Sequence, residues 1–341
     1  MQIFVFQGEL LYFSSQYNFY MKKVFRVLLI IIVLLVVVVG LFALFINYRE
    51  MPIYKVEQIN FHVQSTPERI AKGRKMASML CFSCHYNSAT EAFTGRLLTE
   101  APQFGKIHSA NITSDSAAGI GKLTDGQLLY FIRTGIKPDG EYVPPYMPKL
   151  VHIADEDLYS IIAYLRSDDK YVKANPTPAP TSQQSFLTKF LVTIKAFKPF
   201  DYPKEAIPLP DTTNQLAWGK YIALYQYECY ACHSKDFSTN NYGVPEKSAG
   251  FFGGGNKMFE LDGKPIYTLN ISQDKETGIR AWSEEDFTNA VKSGIVPNKQ
   301  PSLRYPMQPY FNLNDAELKA VYTYIKTVPP IENKVERKFT N

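Results

Sequence analysis

Cys81-Phe82-Ser83-Cys84-His85 and Cys229-Tyr230-Ala231-Cys232-His233 decide the reading of this chain. Each is C-x-x-C-H, the spacing at which a polypeptide is attached to a c-type haem. Two intervening residues let the chain turn so that both thiols reach neighbouring edges of one porphyrin. The adjacent histidine is then held under the iron as proximal ligand. The two motifs use all four cysteines. A lone C-x-x-C would also suit a redox disulfide or half of a zinc site. Two copies in separate segments, with no cysteine left over, favour two haem c groups. Cys81, Cys84, Cys229 and Cys232 are the expected attachment residues, and His85 and His233 the expected iron ligands.

The sequence around each motif recurs. Glu68–Met76 reads as a helix leading to the first motif, and Trp218-Gly219-Lys220-Tyr221 leads to the second. Met76 and Met79 on that approach are expected in the core. Asn111-Ile112-Thr113 with Gly119-Ile120 matches Asn270-Ile271-Ser272 with Gly278-Ile279. Thr124-Asp125-Gly126-Gln127 is a capping-box pattern opening a helix that stops near Gly135, and Ser283–Asp286 opens one that stops near Gly294. Proline loops containing Met147 and Met307 follow. Asp155-Glu156-Asp157 and Asn314–Glu317 then start the last helix of each copy, where acid suits the helix dipole. The order of landmarks indicates a duplicated domain.

An iron with one histidine needs a ligand on its far face. Met147 and Met307 are the expected ones, because each follows its histidine by a stretch long enough to wrap a porphyrin and sits in a proline loop. Met258 is the rival for the second site. His62, His108 and His152 have no counterparts in the other copy and are expected at the surface. Thioether ligation favours reduced iron, and two axial ligands leave no open position, which points to a carrier of electrons.

Val27 to Ile46 is uncharged and long enough to span a bilayer, with Lys22, Lys23 and Arg26 before it. It reads as an uncleaved anchor at 21–50, with the rest exported; a cleaved signal peptide is the rival. Residues 1–20 lack a basic leader, and Met21-Lys22-Lys23 resembles a natural start, so 1–20 read as a misassigned start or a disordered tail. Residues 51–67 form a spacer. Between the copies (169–214) lies a linker, Asn175–Thr181, that reads as extended. It is followed by an apolar face of Phe186, Leu187, Phe190, Leu191, Ile194 and Phe197, accompanied by lysines; it is expected to pack on a haem domain, and an amphipathic helix resting on the membrane is the rival. Residues 331–341 form a tail. With 341 residues, 45% hydrophobic and 20% charged, and a net charge of +5, the composition is that of a folded protein. No nucleic-acid motif is present.

With these residues in place, the chain resembles membrane-anchored, multi-haem cytochrome c proteins related to the cytochrome subunits of bacterial alcohol and gluconate dehydrogenases. The resemblance rests on the two C-x-x-C-H motifs, the two Asn-Ile-Thr/Ser stretches and the paired methionines, over roughly 68–168 and 215–330. It implies an all-α fold: two tandem class I cytochrome c domains, 68–168 and 215–330, behind one N-terminal transmembrane helix. Those dehydrogenase subunits usually have three haem domains, and this chain has two. The implied location is the bacterial inner membrane, single-pass, with the cytochrome domains in the periplasm. The implied donor is a dehydrogenase or quinol-oxidising complex, and the acceptor an oxidase or small cytochrome. The rival functions are a di-haem peroxidase and a subunit of a larger respiratory complex.

Overall fold

The computed structural model describes residues 3–298 and 301–336, mostly as helix, and the chain divides into two compact units, one ending at Met51 and one beginning at Pro52. The first unit is a single helix, α1 (Ile3–Tyr48). This helix includes residues 3–20. Met21–Tyr48 is long and apolar enough to cross a bilayer, which suits either a membrane anchor or an export signal.

The second unit repeats one series of elements. In its first half, α2 (Pro67–Leu80) leads into α3 (Phe82–His85), followed by α4 (Asp125–Thr134) and α5 (Asp155–Leu165). A short connecting helix, α6 (Phe186–Thr193), comes next. The second half contains α7 (Gln215–Tyr221), α8 (Cys229–His233), α9 (Glu284–Ser293) and α10 (Asp315–Ile325). The capping chemistry sets the ends. Thr124 and Gln127 close a reciprocal box on α4, as Ser283 and Asp286 do on α9. Gly135 and Gly294 end these helices in the left-handed conformation, φ 80° and 73°.

Each half is built on a crossing of its first and last helices, α2 on α5 and α7 on α10. A glycine stands at each crossing. A Cβ on Gly73 would collide with the Ser160 carbonyl, and one on Gly219 with the Ala320 carbonyl. The approach of backbone to backbone, not a need for positive φ, requires glycine there. Between this glycine and the first cysteine the halves differ. The chain is two residues longer from Gly219 to Cys229 than from Gly73 to Cys81. A π-helical turn, Ile222–Gln226, and a left-handed Glu228 (φ 47°) occupy this stretch.

The all-helical expectation is corrected by two small antiparallel sheets. β1 (Gly105–Lys106) pairs with β2 (Gln183–Gln184), and β3 (Lys257–Phe259) with β4 (Pro265–Tyr267). Residues 53–63, read as spacer, run along the first half. Tyr54 N donates to Gly140 O, Phe61 stacks on Tyr159, and Val63 N donates to Asp125 Oδ2.

One continuous hydrophobic core contains residues of both halves, among them Met76, Leu158 and Ile162 of the first and Tyr221, Leu318 and Ile325 of the second. Polar ties reinforce it. Asp157, 1% exposed, accepts from Tyr221 Oη at 2.5 Å and Gln226 Nε2 at 3.1 Å, and pairs with Lys72. Lys75 pairs with Glu317, and Asn312 Nδ2 donates to Ser78 Oγ at 2.6 Å. His152, expected at the surface, is half-buried against Tyr225 of the second half. His108 is half-buried too, while His62 is exposed and pairs with Asp125.

Candidate haem sites

Each C-x-x-C-H folds as a short helical turn, the first directly after α2 and the second after the π-helical turn and Tyr227-Glu228 that follow α7. Cys81 caps α2, and its carbonyl accepts from His85 N at 2.9 Å. The turn swings the histidine inward, leaving His85 8% and His233 9% exposed. His85 Nδ1 lies 2.8 Å from Ala110 O, and His233 Nδ1 lies 2.8 Å from Leu269 O. A carbonyl only accepts, so Nδ1 carries the proton and Nε2 keeps its lone pair. Burial lowers the pKa of both rings against the opposing carbonyl bonds, so both are neutral imidazoles suited to hold a metal.

Ala110 and Leu269 immediately precede the recurrent Asn-Ile-Thr/Ser stretches, and this gives those stretches their physical role. Asn111 and Asn270 are buried. Asn111 Oδ1 accepts from Thr113 N at 2.8 Å, and Asn270 Oδ1 from Ser272 N at 2.9 Å. Each amide nitrogen reaches chain beyond the last helix of its half. Asn111 Nδ2 donates to Asn175 O and Thr177 O, and Asn270 Nδ2 donates to Ile331 O. Ile120 N donates to Thr113 O and Ile279 N to Ser272 O, closing the same loop. The loop that carries the histidine-orienting carbonyl is thereby fixed from both sides.

Further pairs, of which only Ile112 and Ile271 stood out in the sequence, complete the frame. Gly95 N donates to His85 O and Gly254 N to His233 O. Ile112 N donates to Phe93 O and Ile271 N to Phe252 O. Gly95 and Gly254, like Phe93 and Phe252, recur at the same spacing as the two asparagines, which is the signal that finds them.

In the second half a cavity of about 390 Å³ opens beside the motif. Cys229, Cys232 and His233 line it together with Met307, and Met258 does so as well. Its walls include Ile222, Leu269, Ile279, Trp282, Phe287 and Leu313. In the first half, Cys84 packs in a cluster with Leu98, Ala101, Ile107, Phe104 and Tyr146, the residue before Met147. The Met147 loop is held by Lys149, whose Nζ donates to Pro144 O at 2.8 Å and Met147 O at 2.6 Å. Arg133, 1% exposed, donates to Val151 O and Ile153 O just beyond. Both loops join the helix before them in matching fashion, Leu150 N to Ile132 O and Tyr310 N to Val291 O. A lone lysine or arginine in sequence reads as surface, so these two supports were missed.

All four cysteines are free thiols. Burial pushes Cys81 and Cys229 up to about 12 and Cys232 up to about 11. A disulfide-exchange cysteine needs the opposite shift. Among the described residues no three His, Cys, Asp or Glu side chains gather as a metal-holding group. An apolar cavity with two thiols, an oriented neutral imidazole and a thioether on its wall fits a covalently attached haem.

Comparison with known proteins agrees. Residues 222–329 match the cytochrome c family model. The chain is 28% identical over 262 residues to the cytochrome c subunit of a quinone alcohol dehydrogenase from Gluconacetobacter polyoxogenes, covering 74% of this chain and 54% of that protein. It is 27% identical over 271 residues to the fructose dehydrogenase cytochrome subunit of Gluconobacter japonicus, covering 76% and 52%. It is 24% identical over 267 residues to a diheme cytochrome c-type protein of Cereibacter sphaeroides, covering 74% and 83%. The chain thus spans about half the length of the dehydrogenase subunits it matches. Its residues 222–329 form a cytochrome c domain, the kind of domain that binds haem c covalently, within a chain similar over most of its length to cytochrome c subunits of dehydrogenases.

Proposed function

We propose that this protein is a membrane-tethered c-type cytochrome with two haem c groups, one per half, that passes electrons from a dehydrogenase or quinol-oxidising complex toward an oxidase or small cytochrome. The observation that carries the reading is the duplicated arrangement of C-x-x-C-H turn and carbonyl-held histidine. Haem c bound this way supplies a one-electron iron couple.

The roles of the residues derive from their chemistry. Cys81 and Cys84, and Cys229 and Cys232, would form thioethers to the two porphyrins. His85 and His233 would present Nε2 to the irons, with Ala110 O and Leu269 O fixing the ring planes and raising ligand basicity. Met147 and Met307 would close the far faces, and Lys149 and the neighbouring loop bonds would keep Met147 in place. A histidine and a methionine holding each iron would leave no site for peroxide, so the matched methionines favour a carrier over a di-haem peroxidase. Apolar walls exclude water and favour the less charged, reduced state. The names of the relatives support a dehydrogenase as donor. The apolar helix supports a single-pass anchor in the bacterial inner membrane, with both halves in the periplasm.

Expression in a host competent for cytochrome maturation tests the reading. The denatured chain should carry covalent pigment with the added mass of two haems. Cys81→Ala with Cys84→Ala, and separately Cys229→Ala with Cys232→Ala, should each remove one. A wild-type chain with a single haem would overturn the di-haem reading, and one without pigment would overturn the cytochrome reading. Turnover of hydrogen peroxide by the reduced protein would favour the peroxidase.

A further inference from the structure

From Lys170 to Phe200 the chain carries five lysines and no carboxylate side chain. Within this stretch, α6 has two faces. Thr188 and Val192 are each 1% exposed and face the turn at Pro102–Phe104. Ser185 N and Thr188 Oγ1 both donate to Phe104 O, at 2.8 and 3.1 Å. Helical spacing puts Phe186, Leu187, Phe190 and Ile194 on the other side. Phe186, Leu187 and Ile194 are 47, 49 and 50% exposed, and the Phe186 and Phe190 rings stack. The expected packing on the first half is therefore real but uses the smaller face. An isolated exposed leucine needs no explanation. A contiguous apolar face in a segment whose own charges are all basic is the pattern of a helix lying in a lipid interface.

The chain just past α6 is tied, through one loop, to the point where the chain enters this unit. Phe200 N, just past α6, donates to Thr134 O at 3.1 Å. The loop that starts there pairs with the entry strand, Ile53 opposite Glu141 and Tyr54 N to Gly140 O. Ile53 is 69% exposed. A chain that leaves a bilayer at the end of the apolar stretch arrives at Ile53 within a few residues, each spanning at most about 3.6 Å.

We propose that α6 is a second membrane contact. It lies along the bilayer surface with Phe186, Leu187 and Ile194 in the acyl boundary and with Lys189, Lys195 and Lys198 toward anionic phospholipid headgroups. This rests on the reading of Met21–Tyr48 as an anchor and goes beyond it. One helix across a bilayer leaves the exported part free to rotate about the tether. A second contact fixes which side of that part faces outward.

The full haem-loaded chain in nanodiscs of three parts phosphatidylcholine to one part phosphatidylglycerol provides the test. Nitroxide labels at Leu187→Cys, Val36→Cys and Lys275→Cys report depth by their relative accessibility to oxygen and to a nickel chelate. The labels at 187 and 36 should favour oxygen, and that at the exposed Lys275 should favour nickel. In discs of phosphatidylcholine alone, the label at 187 should shift toward nickel while that at 36 stays unchanged. A nickel-accessible label at 187 in the mixed discs overturns the proposal, whatever position 36 reports. If position 36 remains in lipid in that case, the anchor stands and only the second contact falls. A label at 187 that is equally deep in both lipid mixtures overturns the role of the lysines.

Discussion

Tyr221 Oη donates to Asp157 Oδ2 at 2.5 Å, and in the same place accepts from Ala154 N at 3.0 Å. One hydroxyl from the second half thus satisfies a buried carboxylate and a buried amide at the start of α5 in the first. Tyr221→Phe keeps the ring and removes both bonds. The expected cost is about 1–3 kcal/mol, read from denaturant unfolding, because Ala154 N is left unpaired. An unchanged midpoint would show that water replaces the hydroxyl there.

The glycines at the two helix crossings give a prediction whose sign is decisive. In an open helix, Gly→Ala stabilises by about 0.5–1 kcal/mol. At Gly73 and Gly219 the added methyl meets a backbone carbonyl that cannot swing aside. Gly73→Ala and Gly219→Ala should each destabilise by about 1–3 kcal/mol in thermal or denaturant unfolding. A gain in stability at either position would mean that the helices cross farther apart.

Asn270→Ala removes the bond to Ser272 N and the tether to Ile331 O at once. Loss of about 1–3 kcal/mol is expected, with reduced yield of covalent pigment in the second half, since the freed loop carries Leu269 O. Quantifying pigment per chain alongside the unfolding curve separates loss of fold from loss of attachment.

Met147→Ala and Met307→Ala should each lower the potential of one haem and let added imidazole bind its iron. Met258 shares the cavity with Met307, so Met258→Ala is the control and should leave both potentials and both spectra unchanged. Potentiometric titration of the three variants distinguishes the two methionines.

Acid should weaken the first half through Asp125. Burial raises its carboxyl, but the Val63 amide, Arg166 and His62 outweigh this and hold it below the usual carboxylate value. A group whose folded pKa is depressed contributes stability above its unfolded pKa, about 3.9, and loses it as the pH falls through the folded value. Asp125→Asn should therefore cost about 1–3 kcal/mol at pH 6, with the gap to wild type narrowing below about pH 4. Urea unfolding across that range checks both the size and the direction.

The parts of this fold legible in the sequence are those that local chemistry determines. The C-x-x-C-H turns, the Thr124–Gln127 and Ser283–Asp286 boxes and the stops at Gly135 and Gly294 depend on residues within one or two turns of each other. The Asn-Ile-Thr/Ser stretches were visible as a repeat, but their task depends on a carbonyl meeting a histidine from a distant segment. Lys149 and Arg133 went unseen for the same reason, since their acceptors are carbonyls of folded loops. His152 was expected outside because nothing nearby in sequence announces Tyr225. The π-helical turn before Cys229 left only a trace, a two-residue slip in the spacing of the repeat.

The continuous core shared by the halves makes the Asn175–Thr181 segment a strap rather than a hinge. Heating should then produce a single melting event for both lobes instead of two. Glycine and serine in place of Ala179–Thr181, beyond the two carbonyls that hold Asn111, should leave that single event in place.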